Sequence, residues 1–246
     1  MKISPLTDTL PIDIELIYQD MCEQFPEEAR HLHHALEQHT FLAPLLGKFL
    51  QAFHLLEQGF RAGKMLYLCG NGGSFSDCIH IAGELMKTFK LPRPLNADEQ
   101  NAFAGLAHGD LLAEHLQKGL PCMVLGLNPA LSSAILNDSK ASGMQYAQEL
   151  YCLGKPGDVL LAISTSGNAQ NVLLAVSTAK ALGMAVIGLT GRMGGLLTQM
   201  ADISLNVTES ETYKIQEQHV IVYHLLCLLL ESRFFLSPSL PACYAD

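Results

Sequence analysis

Positive charge is scarce in this 246-residue sequence, which has 15 Lys and Arg residues against 24 Asp and Glu residues and a formal net charge of -9. Proteins that bind nucleic acids or anionic membranes need concentrated positive charge. The composition therefore argues against both kinds of partner. Only 16% of the residues are charged and 49% are hydrophobic, which excludes an intrinsically disordered chain and predicts a core-rich globular protein.

Long apolar runs and targeting patterns are also missing. The longest apolar stretch, Val220 to Leu230, is interrupted by His224 and ends at Glu231, so it is too short and too polar to cross a bilayer. The first residues show no apolar run followed by a small-residue cleavage site. The seven cysteines include no CxxC pair and fall mostly in apolar segments, which indicates reduced core residues. These features predict a cytoplasmic protein.

The N-terminal part of the sequence has a helical pattern. From about Ile12 to Phe60, apolar residues recur every three or four positions, with breaks near Pro26 and at Pro44. Four histidines are concentrated in this part, but no carboxylate or cysteine completes a metal-ligand set beside them. We therefore expect a helix that faces solvent or another subunit at His31, His33, His34 and His39.

From Lys64 onward, short apolar runs alternate with helical segments. The predicted strands cover residues 65–69, 122–127, 158–163, 185–190 and 202–207. Continuous apolar strands that alternate with helices are typical of a parallel sheet covered on both faces. The sequence thus predicts an α/β fold: a doubly wound, flavodoxin-like, three-layer sandwich around a five-stranded parallel sheet. N-terminal helices precede this sheet, and a long helix from about Tyr213 to Phe235 follows it.

The second predicted strand leads into a Pro- and Ser-rich loop, Asn137 and Asp138, and a helix to about Tyr151. One segment does not belong to the regular alternation. Residues 92–119 supply two weakly helical patches and no strand. We expect this segment to be an excursion from the ligand-binding end of the sheet, serving as a lid or an oligomer contact.

Two small-residue loops follow predicted strands and open helices, at the edge where doubly wound sheets bind ligands. The first, GNGGS at Gly70–Ser74, is neither a GxGxxG fingerprint nor a P-loop, and alone it is equally consistent with a tight turn. The second, STSGN, has three consecutive hydroxyl groups at Ser164, Thr165 and Ser166. A helix cap needs one hydroxyl, so three favour binding of a phosphate or another anion. With no cation in the loop, a small sugar phosphate is the better candidate.

Two helices have polar residues at spacings that place them on one face. His80 and Glu84 are four residues apart after GNGGS, and Gln216 and His224 are eight apart on the terminal helix. Buried polar groups are costly unless they are paired. The spacing alone leaves two interpretations open, a structural hydrogen-bond cluster that joins two helices or a catalytic site, and it slightly favours the first.

The four motifs taken together resemble a known family. A strand followed by GNGGS, a strand followed by ISTSGN, a strand followed by GLTGRMGG and a terminal helix opening with IQEQH are similar to the SIS (sugar isomerase) domain family. Within it, the phosphoheptose isomerases are the best match, over roughly residues 41–235. The resemblance implies a helical extension at residues 1–40 and a SIS domain at residues 41–246, with an insertion at about 92–119.

The resemblance also implies a reaction and a site. The expected reaction is an aldose–ketose isomerisation of sedoheptulose 7-phosphate through an enediol, with Glu84 and His224 as the acid and base. It implies a divalent metal, typically zinc, held by His80, Glu84, Gln216 and His224. The residues expected to contact the phosphorylated sugar are Asn71, Gly72, Gly73, Asn137, Asp138, Ser164, Thr165, Ser166 and Gln216.

The sequence departs from the family pattern at three places. Ala169 stands where the family usually has a further serine after STSGN, and Thr212 falls where the isomerases often have an aromatic-rich loop. Thr88 stands where the family has an arginine, although Arg93 lies close enough to supply charge, as does Lys90. These differences concern the identity of the substrate more than the class of reaction.

Two rival functions follow from the same resemblance. One is a non-catalytic SIS-domain protein, either a sugar-phosphate sensor or a relative of the replication-initiator-associating protein. The other is a different sugar-phosphate enzyme, such as a phosphohexose isomerase or N-acetylmuramate phosphate etherase, but the glutamate-centred motif of the etherases is not found. The four polar residues on the two helices favour the isomerase. The terminal helix is apolar around most of its circumference, which predicts burial between subunits in at least a dimer, with a tetramer as the expected assembly.

Overall fold

The computed structural model describes residues 12–236, and within them five strands form one parallel sheet. The strands are β1 Leu66–Cys69, β2 Cys122–Val124, β3 Val159–Ser164, β4 Ala185–Thr190 and β5 Ile203–Asn206. Their order is β2-β1-β3-β4-β5, and every neighbouring pair is parallel. This is the flavodoxin-like order, in which the direction of strand addition reverses between β1 and β3. The predicted five-stranded α/β fold is confirmed.

Helices precede, connect and follow these strands. They are α1 Ile12–Gln24, α2 Pro26–Gln38, a 3-10 helix Thr40–Leu45, α3 Leu46–Arg61, α4 Gly73–Met86, α5 Ala97–Asn101, α6 Gly109–His115, α7 Pro129–Asp138, α8 Gln145–Leu153, α9 Gln170–Ala181, α10 Gly195–Met200 and α11 Thr212–Phe235. The predicted breaks are present: Pro26 begins α2, and Pro44 lies in the 3-10 helix. None of the helices described is long and apolar enough to cross a membrane.

The sheet separates two hydrophobic cores, which makes the three layers. Leu66 and Leu68 of β1 face a core shared with α1–α4 and α11. Tyr67 and Cys69 face the opposite core, which includes residues of α8, α9 and α10. Because both faces are covered, successive strand residues are buried alternately on opposite sides. This double burial is the physical reason for the continuous apolar runs in the sequence.

Helix α11 lies within the first core and is covered by helices of its own chain. Arg233 donates hydrogen bonds to both carboxylate oxygens of Glu28 on α2, at 2.8 and 2.6 Å, and to Glu57 on α3, at 2.8 Å. All three side chains are buried, so this network ties the N-terminal helices to α11. The apolar circumference of α11 is therefore accounted for by contacts within the chain.

The segment between α4 and β2 leaves the sheet at the opposite end from the one expected. Helix α4 starts at the carboxyl end of β1 and runs back, so residues 87–121 connect its end to the amino end of β2. The expectation of an excursion from the ligand-binding end was wrong, because a crossover helix reverses the edge at which the next segment begins. Its two helical patches are α5 and α6, joined at their base by an antiparallel bridge between Pro94 and Gln117.

Arg93, in the same segment, is committed to the core. Its guanidinium is buried, pairs with Glu231 of α11 at 2.8 Å, and donates to the carbonyl oxygens of Leu85 and Glu84 at 2.8 and 3.1 Å. It thus caps the C-terminal end of α4. The expectation that Arg93 could supply charge to a ligand was wrong, since a buried partner and two carbonyls already satisfy it.

The loop predicted after β2 is a helix. Helix α7 starts at Pro129, and the Asn128 side chain caps it by accepting a hydrogen bond from the backbone N–H of Leu131 at 3.0 Å. Asparagine at the N-cap followed by proline is a strong helix-start signal. The prediction of a loop gave the proline and the serines more weight than the apolar residues three and four positions apart. Asn137 and Asp138 form the last turn of α7.

Candidate active site

The two small-residue loops lie next to each other at the carboxyl edge of the sheet. Strands β1 and β3 pair in parallel, with Cys69 opposite Ala162 at their carboxyl ends. In the first loop Gly72 caps α4 with φ 55° and ψ -121°, a conformation that residues with a β-carbon rarely adopt. Both loops therefore open onto the crevice where the strand order reverses, which is the ligand-binding position of doubly wound sheets.

The STSGN loop presents hydroxyl groups and open backbone donors. Ser164 is buried at the end of β3, Thr165 is half-buried and Ser166 is exposed. The residue before α9 is Ala169, which offers no side-chain cap, so most N–H groups of the first turn of α9 remain open to a ligand. The loop that follows β4 holds the STSGN backbone in place, because the backbone N–H of Gly191 donates a hydrogen bond to the Thr165 carbonyl at 3.1 Å. This arrangement offers donors that could bind an anion without a cationic side chain of the loop.

An amide pair joins the two loops. The Nδ2 of Asn71 donates to the Oδ1 of Asn171 on α9, and the Nδ2 of Asn171 donates back to the Oδ1 of Asn71, both at 2.8 Å. The hydroxyl of Tyr146 donates to the Gly70 carbonyl and lies 3.4 Å from Asn71 Oδ1. Sequence reasoning missed Asn171 and Tyr146, although the position of Asn171 in the first turn after STSGN could have indicated the former.

One histidine-carboxylate cluster forms where α4 meets α11. The Nε2 of His80 lies 3.0 Å from Glu84 Oε1, and the Nε2 of His224 lies 3.1 Å from the same oxygen. The two imidazole rings are 5.0 Å apart and nearly perpendicular. The Glu84 side chain is only 7% exposed, whereas His80 is 51% exposed and His224 is 34% exposed. The cluster is thus a buried carboxylate with two imidazoles that open to solvent.

Gln216 lies apart from this cluster. A β-carbon on Gly73 would overlap the side-chain amide of Gln216, so this amide rests against the first residue of α4. His80 and Glu84 lie further along α4, and His224 follows Gln216 by eight residues, about 12 Å along the helix. The structure therefore places Gln216 beside the GNGGS loop. Its role as a metal ligand stays a prediction.

The donor set fits a divalent metal. The ligand atoms of His80, Glu84 and His224 lie within 4.8 Å of one another. The second carboxylate oxygen of Glu84 is buried and has no hydrogen-bond partner among the residues that the structure describes. Burial lowers the pKa of the His224 imidazole, against the opposing effect of the Glu84 carboxylate, which favours the neutral form that binds metals. Two imidazoles and a carboxylate suit zinc and similar ions.

The ring nitrogen of His80 that faces away from Glu84 also has a hydrogen-bond partner. The Nδ1 of His80 lies 3.0 Å from the hydroxyl of Tyr223, which in turn lies 3.4 Å from a carboxylate oxygen of Asp77. Tyr223 and Asp77 are both buried. Sequence reasoning missed both, because a tyrosine next to His224 and an aspartate in α4 read as ordinary helix residues.

Two of the predicted substrate residues have no observed link to the cluster. Asn137 and Asp138 are exposed, and the amide of Asn137 donates to the carboxylate of Asp138 at 2.9 Å. Their contact with substrate stays a prediction. The remaining predicted residues lie in the two loops described above, at Asn71, Gly72, Gly73, Ser164, Thr165 and Ser166.

The sheet order, the two adjacent loops and the cluster between α4 and α11 place the chain among the SIS-domain isomerases. A sequence model of the SIS domain matches residues 104–191, which run from the segment before β2 to just beyond β4. That match contains the STSGN loop but not the cluster residues of α4 and α11.

Relatives with the same architecture give the particular family. The phosphoheptose isomerase of Crocosphaera subtropica is 37% identical over 76% of this chain and 83% of its own, and that of Helicobacter pylori is 36% identical over 75% and 83%. The solved phosphoheptose isomerase of Neisseria gonorrhoeae has a TM-score of 0.62 and 30% identity, covering 87% of this chain and 98% of its own. The chain belongs to the phosphoheptose isomerase family.

Proposed function

We propose that this protein is an aldose–ketose isomerase that converts sedoheptulose 7-phosphate to a heptose 7-phosphate through an enediol. The observation that carries the proposal is the meeting of His80 and Glu84 of α4 with His224 of α11, within 4.8 Å. The names of the relatives support the substrate class, a phosphorylated heptose.

Glu84 and His224 are suited to move the protons of such a reaction. Conversion of the ketose requires a base to take a proton from C1 and an acid to protonate the C2 carbonyl oxygen. Glu84 is the candidate base because it is the carboxylate of the cluster and lies between two imidazoles that open to solvent. His224 is the proposed acid that protonates the carbonyl oxygen to give the enediol, a role that is an alternative to its ligation of a metal through Nε2. Return of a proton to C2 and removal of the O1 proton yield the aldose.

The candidate metal ligands are His80, Glu84 and His224, with Gln216 as a fourth. When bound, zinc would stabilise the negative charge that develops on the sugar oxygen. Gln216 is proposed from the family resemblance, and its amide would have to leave Gly73 to reach an ion at the cluster, since it lies about 12 Å from His224 along the helix. The burial of Glu84 supports this assignment, because a buried carboxylate needs a compensating positive charge.

The STSGN loop is the proposed phosphate site. Ser164, Thr165 and Ser166 supply hydroxyl donors, and the uncapped N-terminus of α9 supplies backbone N–H groups and the positive end of the helix dipole. Ala169 removes one hydroxyl, but it also leaves the first-turn N–H groups open. Asn71 and the backbone of Gly72 and Gly73 face the same crevice and are proposed to contact the sugar.

We also propose a homotetramer in the cytoplasm. Support for the subunit contact comes from the outer face of α4, where Ile79 and Met86 are exposed and a β-carbon on Gly83 would meet no atom within 4 Å. Support for the location comes from the cysteines, since six of them lie in the described part of the chain and are free thiols.

Isomerase assays on the purified full chain test the proposal. We expect turnover of sedoheptulose 7-phosphate and a loss of about 10²–10⁴-fold in kcat for Glu84→Gln, which keeps the shape of the side chain but removes the base. Glu217→Gln on the exposed face of α11 is the matched control and should keep full activity. Absence of turnover by the wild-type protein, together with binding of the sugar phosphate, would favour a non-catalytic SIS-domain protein instead.

A second assay tests the phosphate site. Ser166→Ala should raise KM for sedoheptulose 7-phosphate while leaving the weak binding of unphosphorylated sedoheptulose unchanged, because only the phosphate contacts this hydroxyl. Ser133→Ala, in the exposed part of α7, serves as the control. Equal weakening for both sugars would contradict the assignment of the loop.

A further inference from the structure

A buried polar chain leads from the core to the back of His80. The hydroxyl of Tyr223 lies 3.0 Å from His80 Nδ1, and the same hydroxyl donates to Asp77 Oδ1 over a longer distance of 3.4 Å. Tyr223 is 2% exposed and Asp77 is 9% exposed. The other ring nitrogen of His80, Nε2, points to Glu84. His80 is thus held on both sides by groups from different helices.

One set of hydrogen-bond directions fits a metal bound to Nε2 of His80. An ionised carboxylate only accepts hydrogen bonds, so the Tyr223 hydroxyl donates its proton to Asp77. The hydroxyl oxygen can then accept the Nδ1–H of the imidazole, the tautomer that a metal on Nε2 requires. A neutral histidine with its proton on Nδ1 has a free lone pair on Nε2. Nε2 is the atom that faces Glu84 and His224.

We propose that Tyr223 is a positioning residue that fixes the ring orientation and tautomer of His80 for metal binding, and that Asp77 acts through Tyr223. Metal-ligating histidines usually donate their second N–H to a carboxylate, a carbonyl or water, and this outer contact raises affinity for the metal. Here a tyrosine hydroxyl, backed by a carboxylate, fills that position. The inference rests on the proposed metal site.

A purely structural role for Tyr223 is the competing explanation. Its ring packs against His80 at 5.5 Å and against His224 at 4.9 Å between ring centres, both edge to face. These contacts would hold α4 and α11 together without any hydroxyl. Tyr223→Phe keeps the ring and removes only the hydroxyl, so it separates the two explanations.

Zinc affinity measured by chelator competition on the metal-free full chain is the test. We expect Tyr223→Phe to weaken zinc binding about 10- to 100-fold. Tyr67→Phe is the matched control, because Tyr67 is equally buried and its hydroxyl donates to the Leu153 carbonyl on the other face of the sheet. The control should change zinc affinity by less than about threefold, within ordinary mutational scatter. Unchanged affinity in Tyr223→Phe would overturn the inference.

A double-mutant cycle tests the link to Asp77. Asp77→Ala frees the tyrosine hydroxyl to donate to His80, which favours the tautomer that cannot bind metal through Nε2, so zinc binding should weaken about tenfold. The double variant should be no weaker than Tyr223→Phe alone, because Asp77 acts only through the hydroxyl. Additive losses would contradict the chain. If Tyr223→Phe does not fold, unchanged affinity in Asp77→Ala overturns the inference.

The same measurement separates this inference from the proposed function. A wild-type protein that binds no zinc would end both the proposed metal site and the role of Tyr223. A wild-type protein that binds zinc, together with a Tyr223→Phe variant of equal affinity, would end only the role of Tyr223 and leave the isomerase assignment in place.

Discussion

At the scale of single residues, one carboxylate organises the site. Oε1 of Glu84 is shared by His80 and His224, while its other oxygen has no partner among the residues described. His80 lies on α4 with Glu84, whereas His224 lies on α11, far away in the sequence. Neither helix could therefore form the cluster alone. The arrangement explains why polar side chains are kept on helices that are otherwise apolar.

A buried histidine near the site gives a residue-scale prediction about stability. His219 is fully buried on α11, and burial lowers its pKa to about 4, against a smaller opposing effect of the Thr190 backbone. In the unfolded chain a histidine has a pKa of about 6.5. The unfolded state therefore binds more protons between pH 6.5 and 4. The contribution of neutral His219 to the free energy of unfolding is complete above pH 6.5. It is lost as the pH falls toward 4, by up to about 3 kcal/mol.

Thermal unfolding across this pH range checks that expectation. The melting temperature of the wild-type protein should fall more steeply between pH 6.5 and 4 than that of His219→Leu, which has no group to protonate at this position. His34→Leu, at an exposed position on α2, is the control and should follow the wild type. Equal slopes for the wild type and His219→Leu would show that His219 does not contribute.

The spacing of polar residues in the sequence predicted part of the candidate site. It did not predict the residues that contact the candidate metal ligands from behind. The pair His80 and Glu84 and the later His224 were evident because polar residues on apolar helices are unusual. Tyr223 and Asp77 were not evident, since their roles depend on how α4 packs against α11. The placement of Gln216 beside Gly73 likewise depends on the relative shift of two helices, which a single sequence does not encode locally.

At the scale of elements, the junction of α4 with the following segment depends on one buried ion pair. Arg93 caps α4 through two carbonyls, and Glu231 of α11 also accepts hydrogen bonds from the backbone N–H groups of Phe89 and Lys90, both at 2.9 Å. Since Glu84 lies in the last turn of α4, this junction also supports the carboxylate of the candidate site. The segment between α4 and β2 thus stabilises that site from the amino edge of the sheet.

Removal of one partner of this pair should be strongly destabilising. Arg93→Met leaves the Glu231 charge buried and unpaired, which typically costs about 3–5 kcal/mol of unfolding free energy. Arg30→Met is the matched control, because Arg30 pairs with Glu27 on the exposed surface of α2, where such pairs contribute about 1 kcal/mol or less. Denaturant unfolding measures both. Similar small losses in the two variants would contradict the account of the junction.

Strands were easier to predict than the connections between them. The five strands match the predicted apolar runs to within a few residues, because burial on both faces leaves a strong signal, above all in the fully buried β1 and β3. Helix α7 was missed because its start depends on the Asn128 cap rather than on periodicity. The exit edge of the insertion was mistaken because that edge depends on the direction of the preceding helix, not on the residues of the insertion.

At the scale of the whole molecule, the charge of the chain and that of its proposed substrate have the same sign. The net charge is -9, and a sugar phosphate is an anion. In the proposed phosphate site, local donors at the carboxyl edge of the sheet, namely the STSGN hydroxyls and the open N-terminus of α9, would bind the anion in place of a positive surface. The parallel sheet brings the STSGN loop and the GNGGS loop, which opens α4, to the same edge.

Light scattering on the purified protein tests the proposed assembly. We expect a mass of about 107 kDa at micromolar concentration, four times the 26.8 kDa of one chain. Met86→Glu, on the exposed apolar face of α4, should shift the protein to smaller species because it buries a charge in the contact. Leu136→Glu on exposed α7 is the control and should leave the mass unchanged. A wild-type mass of one chain would contradict the assembly.

The most direct measurement is a crystal structure of the full chain grown with zinc, with anomalous scattering recorded at the zinc edge. The account predicts one strong peak per chain, within bonding distance of His80 Nε2, the Glu84 carboxylate and His224 Nε2, and about 2.0–2.2 Å from each ligand atom. A peak bound elsewhere in the chain, or a zinc-free cluster in crystals saturated with the metal, would contradict the claim that α4 and α11 meet to build the active site.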